Sequence, residues 1–325
     1  MNFGVIGTGS IVEHFLEAAS LCTDFRLYAI YSRTLEKGRD FAKKYGASLV
    51  FDSLEKLAQC QEIDAVYIAS PNSCHCEQAI LMMENKKHVL CEKPISSNLS
   101  ELRDMLAKAE ANQVVLLEAM RSAFDPGFYK IKEYLPKLGT IRRATLQFCK
   151  YSSRYDKFKE GIIQNAFNPE LSNSALMDIG VYCVSSMVRL FGRPDKITAN
   201  SIFLENGMEG AGTITANYTT MQAELIYSKI TNSFLPSQIQ GEEGTMVIRE
   251  IAAPEEIEIY YRDGKKEQII IEKDRNNLFY EIQEFIEMIF GRKEIRSHSQ
   301  YSLMEMEIMD EARRQTGIVF PADRL

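Results

Sequence analysis

The sequence lacks the features that mark three large classes of protein. It has no low-complexity tract and no tryptophan, and its 45% hydrophobic and 26% charged residues are typical of a globular chain, not a disordered one. It has no long run of lysine or arginine and its net charge is −7, so we expect no nucleic-acid partner. It shows no signal segment and no apolar stretch of membrane-spanning length, so we expect a cytoplasmic protein without a membrane partner.

The cysteines do not form a disulfide framework. They are seven, an odd number with irregular spacing, which favours reduced thiols. Cys74-His75-Cys76 brings three potential metal ligands together, but no second pair of ligands follows at the spacing of a zinc site. We therefore expect no bound metal.

The length of 325 residues predicts two domains, because one hydrophobic core seldom grows this large. The first 120 residues alternate short apolar runs with amphipathic stretches, the pattern of βαβ units around a parallel sheet. Thr34, Ser53 and Asn98 are predicted helix N-caps, with Glu101 completing a capping box and Gly46 ending the helix that Thr34 begins. The predicted strands are Asn2–Ile6, Phe25–Tyr31, Ala65–Ala69, His88–Cys91 and Val114–Glu118.

Alternating strands dominate beyond Phe124-Asp125-Pro126. Ala144, Leu146 and Phe148 would face one way while the polar residues between them face the other. Residues 121–325 are therefore predicted to form an α/β domain with a large, mostly antiparallel open sheet and a few helices on one face. Further strands are predicted near 196–203, 214–218, 221–230, 245–249, 257–261 and 267–271, and helices at Asp178–Phe191, Leu278–Phe290 and Tyr301–Gln315.

A glycine-rich turn follows the first predicted strand. Gly7-Thr8-Gly9 leads into a helix that opens with Ser10 and Ile11, where a backbone can approach a pyrophosphate above a helix N-terminus. Val12 replaces the third glycine of the dinucleotide-binding fingerprint. We predict that residues 7–11 bind dinucleotide phosphates in a Rossmann domain, residues 1–120; the alternative is a glycine-rich turn without a ligand.

The end of the second strand predicts which dinucleotide is bound. Tyr31-Ser32-Arg33 holds no carboxylate, which an NAD-specific site would place on the ribose 2′-hydroxyl. Ser32, Arg33 and Lys37 instead suit a 2′-phosphate, because a guanidinium offers planar bidentate donors. NADP is therefore favoured, with NAD still possible. The alternative is that Arg33 and Lys37 are solvated residues at a helix start.

A lysine is expected at the carboxyl edge of the parallel sheet. The buried strand ending at Cys91 runs into Glu92-Lys93-Pro94, and Pro94 disfavours a helical conformation at Lys93. Doubly wound folds bind their ligands at that edge. An ammonium held there can polarise a carbonyl or alcohol oxygen during hydride transfer. On this tripeptide alone, a surface lysine before a turn is the favoured interpretation.

A longer ordered signature surrounds this lysine. Ser70-Pro71-Asn72, His75 and Glu92-Lys93-Pro94 resemble the PNxxH and EKP segments of the glucose–fructose oxidoreductase, inositol dehydrogenase and MocA family (Gfo/Idh/MocA). The resemblance covers essentially the whole chain and implies that Ser70, Pro71, Asn72, His75, Glu92 and Lys93 contact the cofactor. For His75, lining the nicotinamide pocket and donating from a helix start stay open alternatives.

The second domain carries a matching motif. Asn168-Pro169-Glu170-Leu171 and Ala175 to Tyr182 resemble the family's GGGxLxDxGxH segment, with Ser172-Asn173-Ser174 in place of the glycines and Tyr182 where many members have His. Asp178 and Tyr182 are four residues apart, so on a helix they would share one face. The resemblance implies that Tyr182 exchanges a proton beside the Lys93 ammonium, while Asp178 orients a substrate hydroxyl or holds Lys93. The alternatives are a helix-start carboxylate and a buried aromatic residue.

These predictions combine into an oxidoreductase that moves hydride between NADP and a secondary alcohol or ketone of a sugar, polyol or trans-dihydrodiol. Arg154 and Tyr155 are the candidate substrate contacts. By resemblance, the open sheet would pair with another subunit in a homodimer or homotetramer. Two alternatives are a dinucleotide-sensing regulator without turnover and an enzyme that keeps its cofactor bound between turnovers.

Overall fold

The computed structural model describes residues 1–274 and 276–324. The chain divides into two compact units, Met1–Ala119 with Asn276–Leu303 and Met120–Arg275 with Met304–Leu325. The first unit therefore takes up a late segment of the chain as well as the N-terminal one. The long helix Arg296–Thr316 is shared between the two units.

The first unit is built on a parallel sheet of six strands. These are β1 (Asn2–Ile6), β2 (Arg26–Tyr31), β3 (Leu49–Phe51), β4 (Ala65–Ile68), β5 (His88–Glu92) and β6 (Leu116–Ala119). Their order is β3-β2-β1-β4-β5-β6, and all six are parallel. Strands β2 and β3 are added on one side of β1, and strands β4 to β6 on the other, so the strand order reverses between β1 and β4. This is the strand order of a Rossmann fold, the fold predicted from the sequence.

Five of these strands confirm the prediction within two residues at each end. The edge strand β3 was not predicted, because its three residues are too short to show a period. A stacked pair of rings, Phe15 on Tyr67 with centroids 3.7 Å apart, lies in the fully buried core.

The helices of the first unit confirm two of the three predicted side-chain caps. They are α1 (Ser10–Ala19), α2 (Leu35–Tyr45), α3 (Leu54–Gln59), α4 (His75–Glu84), α5 (Leu99–Asn112) and α10 (Leu278–Ile289). Ser53 and Asn98 cap their helices by accepting from the N–H groups of Lys56 and Glu101. Thr34 stands at the N-cap of α2, but its side chain makes no capping hydrogen bond, so that detail was wrong.

The second unit holds a sheet of eight strands. These are β7 (Ile141–Cys149), β8 (Lys196–Phe203), β9 (Glu209–Asn217), β10 (Gln222–Ser228), β11 (Ser237–Gly241), β12 (Gly244–Ile248), β13 (Glu256–Tyr261) and β14 (Lys266–Ile270). The order is β14-β13-β12-β11-β7-β10-β9-β8, antiparallel except for the pair β7 and β10. The mostly antiparallel sheet is confirmed. Strand β11 was missed because Ser-Gln-Ile-Gln-Gly offers one large apolar residue.

The remaining helices are α6 (Arg121–Phe124), α7 (Pro126–Tyr134), α8 (Tyr155–Lys159), α9 (Val181–Phe191) and α11 (Arg296–Thr316), with 3₁₀ turns at 72–74, 135–138, 165–167, 169–171 and 321–324. Asp125 begins α7 by accepting from the Gly127 N–H and also receives the buried Lys273 ammonium at 2.7 Å. A buried carboxylate of this kind is stable because it is both paired and hydrogen-bonded.

The helical stretch Pro169–Phe191 corrects one expectation from the sequence. Its 23 residues are long and apolar enough to cross a membrane, whereas we had expected no such stretch. Of its most apolar part, 78% is buried within the protein, which is the behaviour of a core helix. It is the one such helix in the part of the chain that the structure describes.

Candidate active site

The turn after β1 leaves room for a ligand above the start of α1. Gly7 has φ +123°, and a Cβ on it would lie 2.8 Å from the Ala69 carbonyl oxygen, so glycine is required there. Gly9 is the N-cap of α1, and a Cβ on it would meet nothing within 4 Å. No side chain caps this helix start. A dinucleotide pyrophosphate fits such an open helix N-terminus, along which Thr8, Ser10 and Ile11 lie.

The end of β2 carries cationic side chains and no carboxylate. Ser32 is buried and its hydroxyl accepts from the Thr34 N–H at 3.4 Å. Arg33 and Lys37 are exposed, and neither makes an ion pair with another residue in the described part of the chain. Two cations without an ion pair beside the glycine-rich turn suit an additional phosphate better than a free ribose hydroxyl.

His75 ties together the loops that follow β4 and β5. Its ring is fully buried, with Nδ1 2.9 Å from the Pro94 carbonyl oxygen and Nε2 3.0 Å from that of Ser70. Burial lowers the pKa of His75 below its ordinary value, although the two carbonyls act in the opposite sense. The imidazole is therefore neutral at physiological pH, and its side chain is directed at backbone on both sides.

Lys93 follows β5 on a backbone that is held from several directions. Its N–H donates to the Glu92 carboxylate at 3.3 Å, and Glu92 in turn accepts from the Tyr67 hydroxyl. Burial, with the Glu92 charge, raises the pKa of Tyr67 well above its usual range, so Tyr67 stays protonated and donates. Beyond the cis Lys93-Pro94 bond, the Ile95 N–H donates to Glu118 at 3.1 Å. These hydrogen bonds fix the backbone on both sides of Lys93, whose side chain is half-buried.

In the second unit, Asp178 lies in a π-helical turn, Leu176–Gly180, that precedes α9. The sequence predicted an ordinary helix beginning at Asp178, and this was wrong: regular helix begins at Val181. A hydrogen bond and a close approach to a ring fix this turn against strands β9 and β10. The Leu176 N–H donates to the buried Glu209 carboxylate at 2.7 Å, and a Cβ on Gly180 would meet the Tyr227 ring at 2.9 Å. π-Helical turns are frequent at functional sites.

The segment before this turn explains the residues that replace the family's glycines. Ser172 has φ +57°, in the left-handed region that favours glycine, and is fully buried. Ser174 accepts from the Met177 N–H at 3.1 Å. The chain therefore keeps a glycine-like conformation at Ser172 while adding a serine hydroxyl bond at Ser174.

Tyr182 and Asp178 both face cations that the sequence analysis did not single out. The buried Tyr182 ring meets Phe148 edge-on at 5.4 Å and lies 5.6 Å from the Arg121 guanidinium carbon. Asp178 is 2.8 Å from the ammonium of Lys229, whose side chain is 1% exposed. Neither cation belongs to a motif. A charged residue directly after strand β10, whose alternate residues Ala223, Leu225 and Tyr227 are buried, was the one available signal for Lys229.

The two candidate substrate residues lie on or beside α8. Arg154 is exposed, and Tyr155 stacks on Phe158 and Phe167 with ring centroids 6.0 and 5.7 Å away. All seven cysteines are free. Across residues 1–274 and 276–324 no three His, Cys, Asp or Glu side chains are grouped to hold a metal ion.

Alanine substitutions at the two glycines of the turn should affect different properties, cofactor affinity at Gly9 and stability at Gly7. In Gly9→Ala the new methyl has no protein neighbour, so we expect a change in stability within about 0.5 kcal/mol, but NADPH affinity should fall by roughly tenfold or more because the methyl enters the phosphate space. Gly7→Ala should unfold at a clearly lower temperature. Thermal melts and NADPH fluorescence titration measure both; unaltered NADPH affinity in Gly9→Ala would remove this turn from the cofactor site.

The buried neutral His75 should make stability depend on pH. The unfolded chain takes up a proton as pH falls below about 6.5, which the folded ring resists, so stability present at pH 7.5 is lost toward pH 5.5. His75→Gln should reduce this slope in urea unfolding, leaving the part due to His88, whose pKa burial also lowers. The exposed His14→Gln is the control. An identical slope in His75→Gln and wild type would contradict the assignment.

Comparison with known proteins places the chain in a family. Residues 1–120 match the model of an oxidoreductase family with an NAD-binding Rossmann fold, and residues 134–247 match the GFO/IDH/MocA C-terminal domain. The chain is 48% identical to the scyllo-inositol 2-dehydrogenase (NADP(+)) IolU of Bacillus subtilis, covering 100% of this chain and 99% of that protein. It is 27% identical to the mouse trans-1,2-dihydrobenzene-1,2-diol dehydrogenase, over 100% and 99% of the two chains.

A solved structure shows the same fold over almost the whole length. A 3-ketoreductase from Actinomadura kijaniata, in complex with NADP and TDP-benzene, superposes with a TM-score of 0.88 at 20% identity, covering 98% of this chain and 99% of that one. Together with the two matching domain models and the bacterial relative, this leads to one assignment. The chain belongs to the Gfo/Idh/MocA family of oxidoreductases.

Proposed function

We propose that the protein is an NADP-dependent dehydrogenase of a six-membered ring that carries neighbouring hydroxyl groups, with scyllo-inositol as the first substrate to test. The observation that carries this proposal is the 48% identity to a scyllo-inositol 2-dehydrogenase over the full chain. The dihydrodiol named for the mouse relative is also a six-membered ring with adjacent hydroxyls. The presence of Lys93, Asp178 and Tyr182 together favours an enzyme over a regulator without turnover.

The cofactor would be held by residues of the first unit. Bound NADP supplies a nicotinamide that accepts or returns the hydride. Gly7, Thr8, Gly9, Ser10 and Ile11 would hold the pyrophosphate, because the turn is open and its helix start lacks a side-chain cap. Ser32, Arg33 and Lys37 would hold the 2′-phosphate. By the family pattern, further cofactor contacts would come from the segments after β4 and β5, at Ser70, Pro71, Asn72, His75, Glu92 and Lys93.

Three side chains would handle the substrate oxygen and its proton. Oxidation of a secondary alcohol removes a hydride from carbon and a proton from oxygen. We assign the proton to the oxygen of Tyr182, which must enter this step as the phenolate and leave it as the phenol, and the polarisation of the substrate oxygen to the Lys93 ammonium. The Asp178 carboxylate would accept from a neighbouring hydroxyl and so orient the ring. Arg154 and Tyr155 stay candidates for contacts with the rest of the substrate.

The second unit would also form the contact between subunits of a homodimer or homotetramer. Alternation leaves one face of its sheet without buried side chains, and that face is only half exposed at its centre. It combines polar and β-branched side chains in register across the strands, which suits packing against an identical sheet. The half-exposed residues at its centre are Thr145, Gln147, Thr215, Ile226 and Val247. We further propose that the enzyme works in the cytoplasm.

The reaction can be tested by following NADP reduction at 340 nm with scyllo-inositol, other inositols and trans-dihydrodiols. Tyr182→Phe should bind NADPH within a few-fold of wild type but turn over roughly a hundredfold or more slowly, because the proton acceptor is lost. Tyr260→Phe, an exposed tyrosine on β13, is the matched control and should behave as wild type. No reduction with any of these compounds would overturn the substrate class, and an active Tyr182→Phe would remove Tyr182 from the chemistry.

Cofactor choice can be tested separately by removing the two exposed cations. Arg33→Ala with Lys37→Ala should raise KM for NADP by roughly tenfold or more and leave KM for NAD nearly unchanged, because only NADP carries the 2′-phosphate. Lys43→Ala, exposed on the same helix α2, is the control. Equal effects on both cofactors would show that these cations do not recognise the 2′-phosphate.

A further inference from the structure

A buried lysine lies directly after strand β10 and has no role in the function proposed so far. The side chain of Lys229 is 1% exposed. Its main chain is fixed on both sides, because its N–H donates to the Gly210 carbonyl at 2.9 Å and its carbonyl accepts from the Ser152 N–H at 2.8 Å. The ammonium group therefore occupies a position set by the sheet.

Three groups that stabilise a positive charge surround this ammonium: a carboxylate, a backbone carbonyl and an aromatic ring. Its Nζ lies 2.8 Å from Asp178 Oδ2, donates to the Ala166 carbonyl at 2.6 Å and stands 4.8 Å from the centre of the Phe167 ring. Removing an ammonium from water costs several kcal/mol unless such partners compensate it. The Asp178 side chain is 35% exposed, so the ion pair is buried at the lysine and open at the carboxylate.

The same ammonium connects the Asp178 turn with the segment that holds the candidate substrate residues. Ala166 and Phe167 end the stretch that starts at Ser152, and Tyr155 stacks on Phe167. Asn173, just before the Asp178 turn, donates to the Asn165 carbonyl at 2.8 Å, which adds a second link between the two segments. Residues 166 and 167 and the Asp178 turn therefore share one ammonium as a partner.

We propose that Lys229 is a positioning residue for Asp178: it fixes one carboxylate oxygen, keeps the group ionised and so sets its orientation toward a substrate hydroxyl. This inference rests on the proposed role of Asp178 in binding the substrate. Lys229 acts through Asp178 and need not contact the substrate. The arrangement favours the binding of a neutral polyol, because an ionised acceptor holds a hydroxyl group more strongly than a neutral acceptor does.

The inference can be tested with Lys229→Met, Asp178→Asn and the double variant, using scyllo-inositol and NADP. Lys229→Met should lower kcat/KM by roughly tenfold or more and move the acid limb of its pH profile upward by about one unit, because the carboxylate loses its cation. NADPH affinity should stay within about twofold, since Lys229 belongs to the second unit. In the Asp178→Asn background, Lys229→Met should cause little further loss, because the two side chains act as one.

Three comparisons make the outcome decisive. Lys266→Met removes an exposed lysine from its pair with Glu258 in the same sheet and should leave kcat/KM unchanged. If Lys229→Met does not fold, Lys229→Gln removes the charge while its amide can still donate to Ala166, and the same results are expected. A normal kcat/KM and acid limb in the folded variant, or fully additive losses in the double variant, would overturn the inference. If Asp178→Asn itself is fully active, the proposed role of Asp178 fails instead.

Discussion

The reversal of strand order between β1 and β4 is the constraint on which the first unit depends. Because all six strands are parallel, the segments that follow β1, β4 and β5 emerge at one edge of the sheet. The crowding there is direct: a Cβ on Gly7 would lie 2.8 Å from the Ala69 carbonyl oxygen. The neutral His75 ring then lies between the segments after β4 and β5, with its nitrogens 3.0 Å from the Ser70 carbonyl oxygen and 2.9 Å from that of Pro94 and one N–H to donate. The position of Lys93 follows from this chain of backbone contacts.

The second unit buries charged side chains, Glu209 and Lys229, inside an apolar interior and satisfies them with hydrogen bonds and an ion pair. Glu209 is 1% exposed and accepts from the Leu176 N–H, the Ser201 hydroxyl and the Tyr227 hydroxyl, while burial raises its pKa. Lys229 is compensated by Asp178 and by a backbone carbonyl. A buried network of this kind is costly when incomplete and rigid when satisfied, which suits the role that we propose for the Asp178 carboxylate on this turn.

Local sequence signals predicted elements well where the chain carries a period or a cap. The parallel strands of the first unit and the capping groups of Ser53 and Asn98 follow from alternation and from short-range hydrogen bonding. Strands β3 and β11 did not follow, because one is too short and the other too polar to show a pattern. Both form because neighbouring strands supply their hydrogen bonds, and that pairing is a property of the sheet.

The candidate site shows the same division between local and distant information. Motif spacing by itself determined the glycine turn, the lysine after β5, the family resemblance and the pair Asp178 and Tyr182. Only the tertiary structure revealed the π-helical turn under Asp178, the two carbonyl partners of His75 and the cations Arg121 and Lys229. The reason is physical: a spacing along the chain predicts contacts within one turn or strand, whereas Lys229 and Asp178 are 51 residues apart and meet only because β10 packs under that turn.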